Sequence, residues 1–131
     1  MAKPTRSRDV ISEDQWIPIL AEFTRENRGA HARLEVIGVD EVGYVVETED
    51  RPFDGVSADT KAGERTVWIT FGATPSDHFT HGIQSATVIR MLPPDSSRGA
   101  ILEVEAKDGT RNILTLSLPE EYMLPPAQPH L

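Results

Sequence analysis

Ile101-Leu102-Glu103-Val104-Glu105-Ala106-Lys107-Asp108-Gly109-Thr110-Arg111-Asn112-Ile113-Leu114-Thr115-Leu116 reads as a β-hairpin. Ile101, Leu102 and Val104 lead into Lys107-Asp108-Gly109-Thr110, and Ile113, Leu114 and Leu116 leave it. Asp-Gly between two such runs is a strong hairpin signal, because the turn needs positive φ angles that Gly adopts freely. The same period of two recurs upstream. Leu34 and Val36 alternate with Arg33 and Glu35, and Val67, Ile69 and Phe71 alternate with Thr66, Trp68 and Thr70. Val42 to Glu49 and Thr87 to Leu92 read as further strands, with a weaker one near Val56. The links Val39-Asp40-Glu41, Lys61-Ala62-Gly63-Glu64 and Pro93-Pro94-Asp95-Ser96-Ser97 are short, and short links join antiparallel neighbours. About six to seven strands result.

One segment carries a helical period instead. Trp16, Leu20 and Phe23 fall at i, i+4 and i+7, with Ile17 and Ala21 widening the stripe. Ser12 with Gln15 three residues on fits a capping box, and Gly29 supplies a left-handed stop. Pro18 requires either that the helix start near Gln15, leaving Ser12 to Gln15 as a separate turn, or that it kink there. A second, short helical turn is expected over 75–81, where Thr74 is a good N-cap, Pro75 a good first residue and Gly82 a good stop. The fold class is therefore α+β, with an N-terminal amphipathic helix packed on a curled antiparallel sheet or half-barrel. Residues 1–11 read as a disordered lead, 12–118 as a single domain and 119–131 as a Pro-rich flexible tail.

Composition narrows the function. The formal net charge is −8, with Asp40, Glu41, Glu47, Glu49, Asp50, Asp54 and Asp59 answered locally by Arg51 alone. Such a surface repels phosphate, so nucleic acid and anionic lipid are poor ligands, while a basic partner or a divalent cation suits it. No apolar run approaches the roughly 20 residues of a membrane helix, and the basic N-terminus lacks the apolar stretch of a secretory signal. The absence of cysteine removes disulfides, zinc–thiolate sites and thiol nucleophiles, and points to the cytoplasm.

Asp77, His78 and His81 are the densest group of titratable side chains. On a helical turn the two imidazoles point the same way, and with a carboxylate they suit a divalent transition metal such as zinc, nickel or non-haem iron. A further ligand would come from elsewhere, such as Asp54 or Asp59. In a strand, residues three apart face opposite ways and share no metal. Ser57 and Asp59 share one face of an extended segment, but no nucleophile elbow accompanies them, and the turn chemistry of Asp54-Gly55 accounts for the region better. Glu103 and Glu105 share the polar face of their strand and are expected to be solvated. Trp68, flanked by Thr66 and Thr70, lies opposite Val67, Ile69 and Phe71. It marks either a partner surface or dimer edge, or a face covered by the helix or the tail.

Taken in order and spacing, five segments resemble the family catalogued as domain of unknown function 5335. They are Trp16, Phe23 and Gly29; Leu34-Glu35-Val36 with Gly38; Phe53-Asp54-Gly55-Val56-Ser57-Ala58-Asp59; Asp77-His78-Phe79-Thr80-His81; and Glu103-Val104-Glu105-Ala106-Lys107-Asp108-Gly109-Thr110. The resemblance spans most of Trp16 to Leu118. It implies a bacterial, cytosolic setting and a compact domain, and brings no activity and no catalytic residues. The expected function is a non-enzymatic, protein-binding or self-associating module, using Trp68, Thr66 and Thr70 and needing no cofactor. The alternative is a metal-binding protein or metal-dependent enzyme built on Asp77, His78 and His81.

Overall fold

The structure, a computed structural model, describes residues 9–38 and 44–117. In chain order it runs β1 (Val10–Ile11), α1 (Trp16–Asn27), β2 (His31–Ile37), β3 (Tyr44–Asp59), β4 (Thr66–Phe71), β5 (Phe79–Ile83), β6 (Ala86–Leu92), β7 (Ile101–Ala106) and β8 (Arg111–Leu116). The described strands form one antiparallel sheet in the order β1-β6-β7-β8-β2-β3-β4-β5. That order forces the sheet to curl. β5 and β6 stand six places apart, roughly 29 Å in a flat sheet at 4.8 Å per strand. Only Gln84 and Ser85 connect them, and the three Cα steps from Ile83 to Ala86 reach about 11 Å at most. The sheet therefore rolls into a barrel whose wall does not close. Ser85 takes φ +55° in the link, the Ala86 N–H donates to the Arg65 carbonyl, and the Lys107 N–H donates to the Ser85 carbonyl, both at 2.8 Å.

Alternation sends Leu34, Val67, Ile69, Phe71, Ile89, Leu102, Val104, Leu114 and Leu116 inward to a single core, which Trp16, Leu20 and Phe23 of α1 complete. Each large apolar side chain buried this way contributes about 1.5–3 kcal/mol. Phe23 meets Phe53 edge-on at 5.6 Å, and the Trp16 indole N–H donates to the Ile11 carbonyl at 3.0 Å. Pro18 is the third residue of α1, inside the first turn, so its missing N–H is one the helix would leave unpaired anyway. Glu13–Gln15 is a separate 3₁₀ turn. The capping box does not form: the Ser12 side chain makes no cap bond, and its carbonyl accepts the Gln15 N–H at 2.8 Å instead.

β3 is the organising strand. Its first part, to Pro52, pairs with β2, and the part from Phe53 pairs with β4, with an irregularity between Phe53 and Gly55. Past that point its other edge would lie bare. The end of α1 covers it. The Val56 N–H donates to Thr24 Oγ1 at 2.9 Å, and the same hydroxyl donates to the Val56 carbonyl at 3.1 Å. Gly29, at φ +94°, donates to the Phe53 carbonyl at 2.8 Å, and the Phe53 N–H donates to Ala30 at 2.7 Å. One threonine side chain and the chain after the helix thus replace a missing strand.

Four further sequence expectations change. The disordered lead does not extend to Ile11, because Val10 and Ile11 pair with Arg90 and Ile89 of β6; residues 1–8, like the start of the expected Val42 strand and the tail from 118, lie outside the described residues. Asp54-Gly55 is a bulge within one long strand rather than a turn between two. The expected helix over 75–81 is a 3₁₀ turn of Pro75–Asp77 followed by β5. Thr74 offers no side-chain cap to prolong that turn, whereas continuing as strand gives Phe79–Ile83 the whole edge of β4 to pair with. Among the described residues the strands accordingly number eight rather than six or seven.

Candidate functional site

The change at β5 separates the predicted metal ligands. Asp77 ends the 3₁₀ turn and accepts a 3.0 Å hydrogen bond from Arg51. His78 is already extended (φ −111°, ψ 134°), and its Nε2 lies 3.1 Å from Asp54 Oδ2 on the outer surface. His81 is the third residue of β5 and turns the opposite way, where its Nε2 meets Asn112 Oδ1 at 2.9 Å. The side chains fall to opposite faces because the backbone there has period two rather than 3.6. Among the described residues, no three His, Asp or Glu side chains converge as a metal would need.

His81 and Asn112 instead build the floor of a groove. Asn112 is 97% buried on the inner face of β8 (3% exposed) and donates through Nδ2 to the Val104 carbonyl at 3.2 Å. With its amide nitrogen committed there, Oδ1 faces His81, so His81 Nε2 is the donor and Nδ1 is its other ring atom. Above this pair lies a groove of about 350 Å³. Trp68, His81, Gly82 and Gln84 form one side, and Asp108, Thr110 and Asn112 the other. It follows the seam where the barrel wall fails to close. The far rim is a turn tied by its own side chain: the Thr110 N–H donates to Asp108 Oδ1 at 2.9 Å. That bond first, and the Thr110 side chain second, hold the Asp108 carboxyl below its ordinary range.

The outer face beside this groove holds the predicted partner residues. Trp68 is 43% exposed, with Thr66 and Thr70 half-buried on the same side of β4. The indole lies along its cross-strand partner Gly82, where a Cβ would come within 2.7 Å of Cζ3. Only glycine gives the ring that bed, which explains its position in a strand otherwise rich in β-formers. Thr70 and Thr80 hydroxyls sit 3.5 Å apart in the next row. Helix α1 packs on the opposite, inner side and leaves Trp68 open. Ser57 and Asp59 are exposed on this outer face, and Asp59 accepts the Lys61 N–H at 3.0 Å; His81 points to the other face, and His78 pairs with Asp54 rather than with Asp59. Glu103 and Glu105 are not simply solvated. Arg90 bridges them at 3.0 and 3.1 Å, and all three side chains are mostly buried.

Fold and site together define a small open-barrel domain with one amphipathic helix packed on β3 and a shallow, chemically sparse groove. Residues 7–125 match a family of unknown function (DUF5335), and the chain belongs to that family. No curated protein and no solved structure matches the chain. Among the described residues, no helix is long and apolar enough to cross a membrane. Sequence reasoning missed Asn112, whose role depends on the barrel seam. The only available signal was an amide at an inward position between Val104 and Leu114.

Proposed function

We propose that this domain is a non-enzymatic protein-binding module that docks a partner on the outer face of β4 and β5, around Trp68, Thr66 and Thr70. The observation that carries this reading is Trp68 itself, 43% exposed and laid flat over Gly82. A rigid indole presents a large apolar area with little entropy to lose, and such residues dominate binding energy at interface centres. Small neutral neighbours, Ser57, Thr70, Thr80 and Gly82, let a partner approach that ring closely. The separation of Ser57 and Asp59 from His81, and of His78 from His81, speaks for binding rather than chemistry.

The test selects decapeptides from a random phage-displayed library on the immobilised full chain and synthesises the most enriched. Trp68→Ala is expected to weaken that peptide at least tenfold, about 1.4 kcal/mol, while the urea midpoint stays where it is. Unchanged affinity in Trp68→Ala overturns the reading.

A further inference from the structure

We infer that β5 accepts an added strand: an extended, basic segment of another protein pairs with the outer backbone edge of Thr80–Gly82, inside the seam groove. This rests on the preceding reading and names the occupant and its mode of attachment. The ladder itself identifies the open groups. Val56 turns both its N–H and its carbonyl to Thr24, away from β4. Its partner pair, Val56 with Ile69, is therefore the kind that exchanges no hydrogen bonds. Ile69 must then direct its groups to the other side, to His81 of β5. Along an antiparallel strand the direction alternates, so Phe79, His81 and Ile83 face β4, and Thr80 and Gly82 aim their N–H and carbonyl groups outward. No described residue pairs with those four groups.

The sequence leaves this edge unguarded. Exposed edges are blunted by lysine, proline, a bulge or extreme shortness. The opposite edge, β1, has two residues. β5 has five, Phe-Thr-His-Gly-Ile, with no proline and no lysine, and pairs with β4 without a bulge. An edge in this state is a template, and strand addition is how extended peptides use one. Alternate side chains of the incoming strand would meet the Trp68 face on one side and the His81–Asn112 floor on the other.

Charge selects the occupant. Among the described residues lining this groove, Asp108 is the one that carries a fixed charge, and its carboxyl stays ionised at neutral pH. The chain as a whole carries −8. Two copies meeting edge to edge would bring together two surfaces of the same sign, whereas a segment rich in Lys or Arg is attracted.

The selected decapeptide from the display experiment is the probe, with the full chain as receptor. The expected results are an excess of Lys and Arg among enriched peptides, at least tenfold slower hydrogen exchange at the Thr80 and Gly82 amides on saturation, and at least a tenfold affinity loss in Thr80→Pro. Proline there removes an outward N–H and leaves the β4 ladder intact. Should Thr80→Pro fail to fold, the exchange measurement on the unaltered chain decides. Unprotected amides in a bound complex, an affinity indifferent to Thr80→Pro, or enrichment of acidic peptides overturns strand addition, even where Trp68→Ala still weakens binding. A dimer seen by sedimentation and abolished by Thr80→Pro overturns the foreign occupant in favour of a second copy. A library that yields no binder overturns both this inference and the reading beneath it.

Discussion

The second half of β3 and the whole of β5 each leave one backbone edge outside the sheet, and the chain treats the two oppositely. Beside β3, the Thr24 hydroxyl closes both groups of Val56, and Gly29 and Ala30 close those of Phe53. Beside β5 no described group does the same for Thr80 and Gly82. The difference follows from what lies against each edge. Val56 and Phe53 are buried under α1, where an unpaired polar group loses its water and must find a protein partner. Thr80 and Gly82 are exposed, where solvent can take the place of a protein partner. A buried edge is repaired, and a wet one remains open for use.

The largest effect is expected where the repair is removed. Thr24→Val keeps the shape and deletes the hydroxyl, orphaning a donor and an acceptor at once; about 2 kcal/mol of stability should be lost in urea unfolding, and Thr24→Ser should recover most of it. A loss no greater than that of an average surface substitution would show that the Thr24 bonds do not close the edge. Next come matched glycines. A Cβ on Gly55 meets Thr24 Cγ2 at 3.3 Å, so Gly55→Ala pushes the patch off β3 and should cost about 1 kcal/mol. A Cβ on Gly82 would overlap the Trp68 ring, 2.7 Å from Cζ3 and 3.0 Å from Cε3, but that ring is exposed and free to swing outward. Gly82→Ala should cost less than that and should register chiefly as altered quenching of Trp68 fluorescence by acrylamide, with buried Trp16 unaffected. If Gly82→Ala proves the costlier of the two, the open edge is not the adaptable one.

The smallest effect concerns the groove rim. Hydrogen bonds from Thr110 lower the Asp108 pKa in the folded state, so the carboxylate contributes stability above its unfolded pKa, and that contribution disappears as pH falls through the folded value. Urea midpoints between pH 6 and pH 2 should fall slightly less steeply for Asp108→Asn than for the unaltered chain. Asp95, held down first by the Ser97 hydroxyl and then by its N–H, sits in the β6–β7 connection and serves as the comparator away from the groove. A wild-type-like acid slope in Asp108→Asn would mean that the rim is not preorganised.

Much of the architecture was readable in the residues. Trp16, Leu20 and Phe23 are buried as expected, whereas Ile17 and Ala21, expected to widen that stripe, are exposed, and Asp108-Gly109 turns the last hairpin with Gly109 at φ +90°. The outward tryptophan of β4 is outward. What failed was local punctuation overridden by pairing. Asp54-Gly55 reads as a turn, yet Gly55 occupies a bulge opposite Thr70, so β3 continues through it. Thr74-Pro75 resembles a helix start, but the turn lasts three residues because Phe79, His81 and Ile83 have β4 waiting for them. The site was half legible. Trp68 declared itself by breaking the apolar alternation, whereas Asn112 and the open side of Thr80 and Gly82 depend on strand order, which no local pattern encodes.

The position of β8 has a consequence for the order of events during synthesis. It is the last described strand to leave the ribosome, yet it stands fourth in the sheet and is the only described link between β6–β7 and β2–β3, pairing Leu116 with Ala32 near the other end of the chain. Until residue 116 has emerged, the ribbon β2–β5 and the ribbon β6–β7 are held by the Gln84-Ser85 link and the Ala86–Arg65 bond, and the closure entropy of the long loop from β2 to β8 must be met before their sheet pairing is gained. The barrel is thus completed at its middle, and only once residues 111–116 are available to pair on both sides.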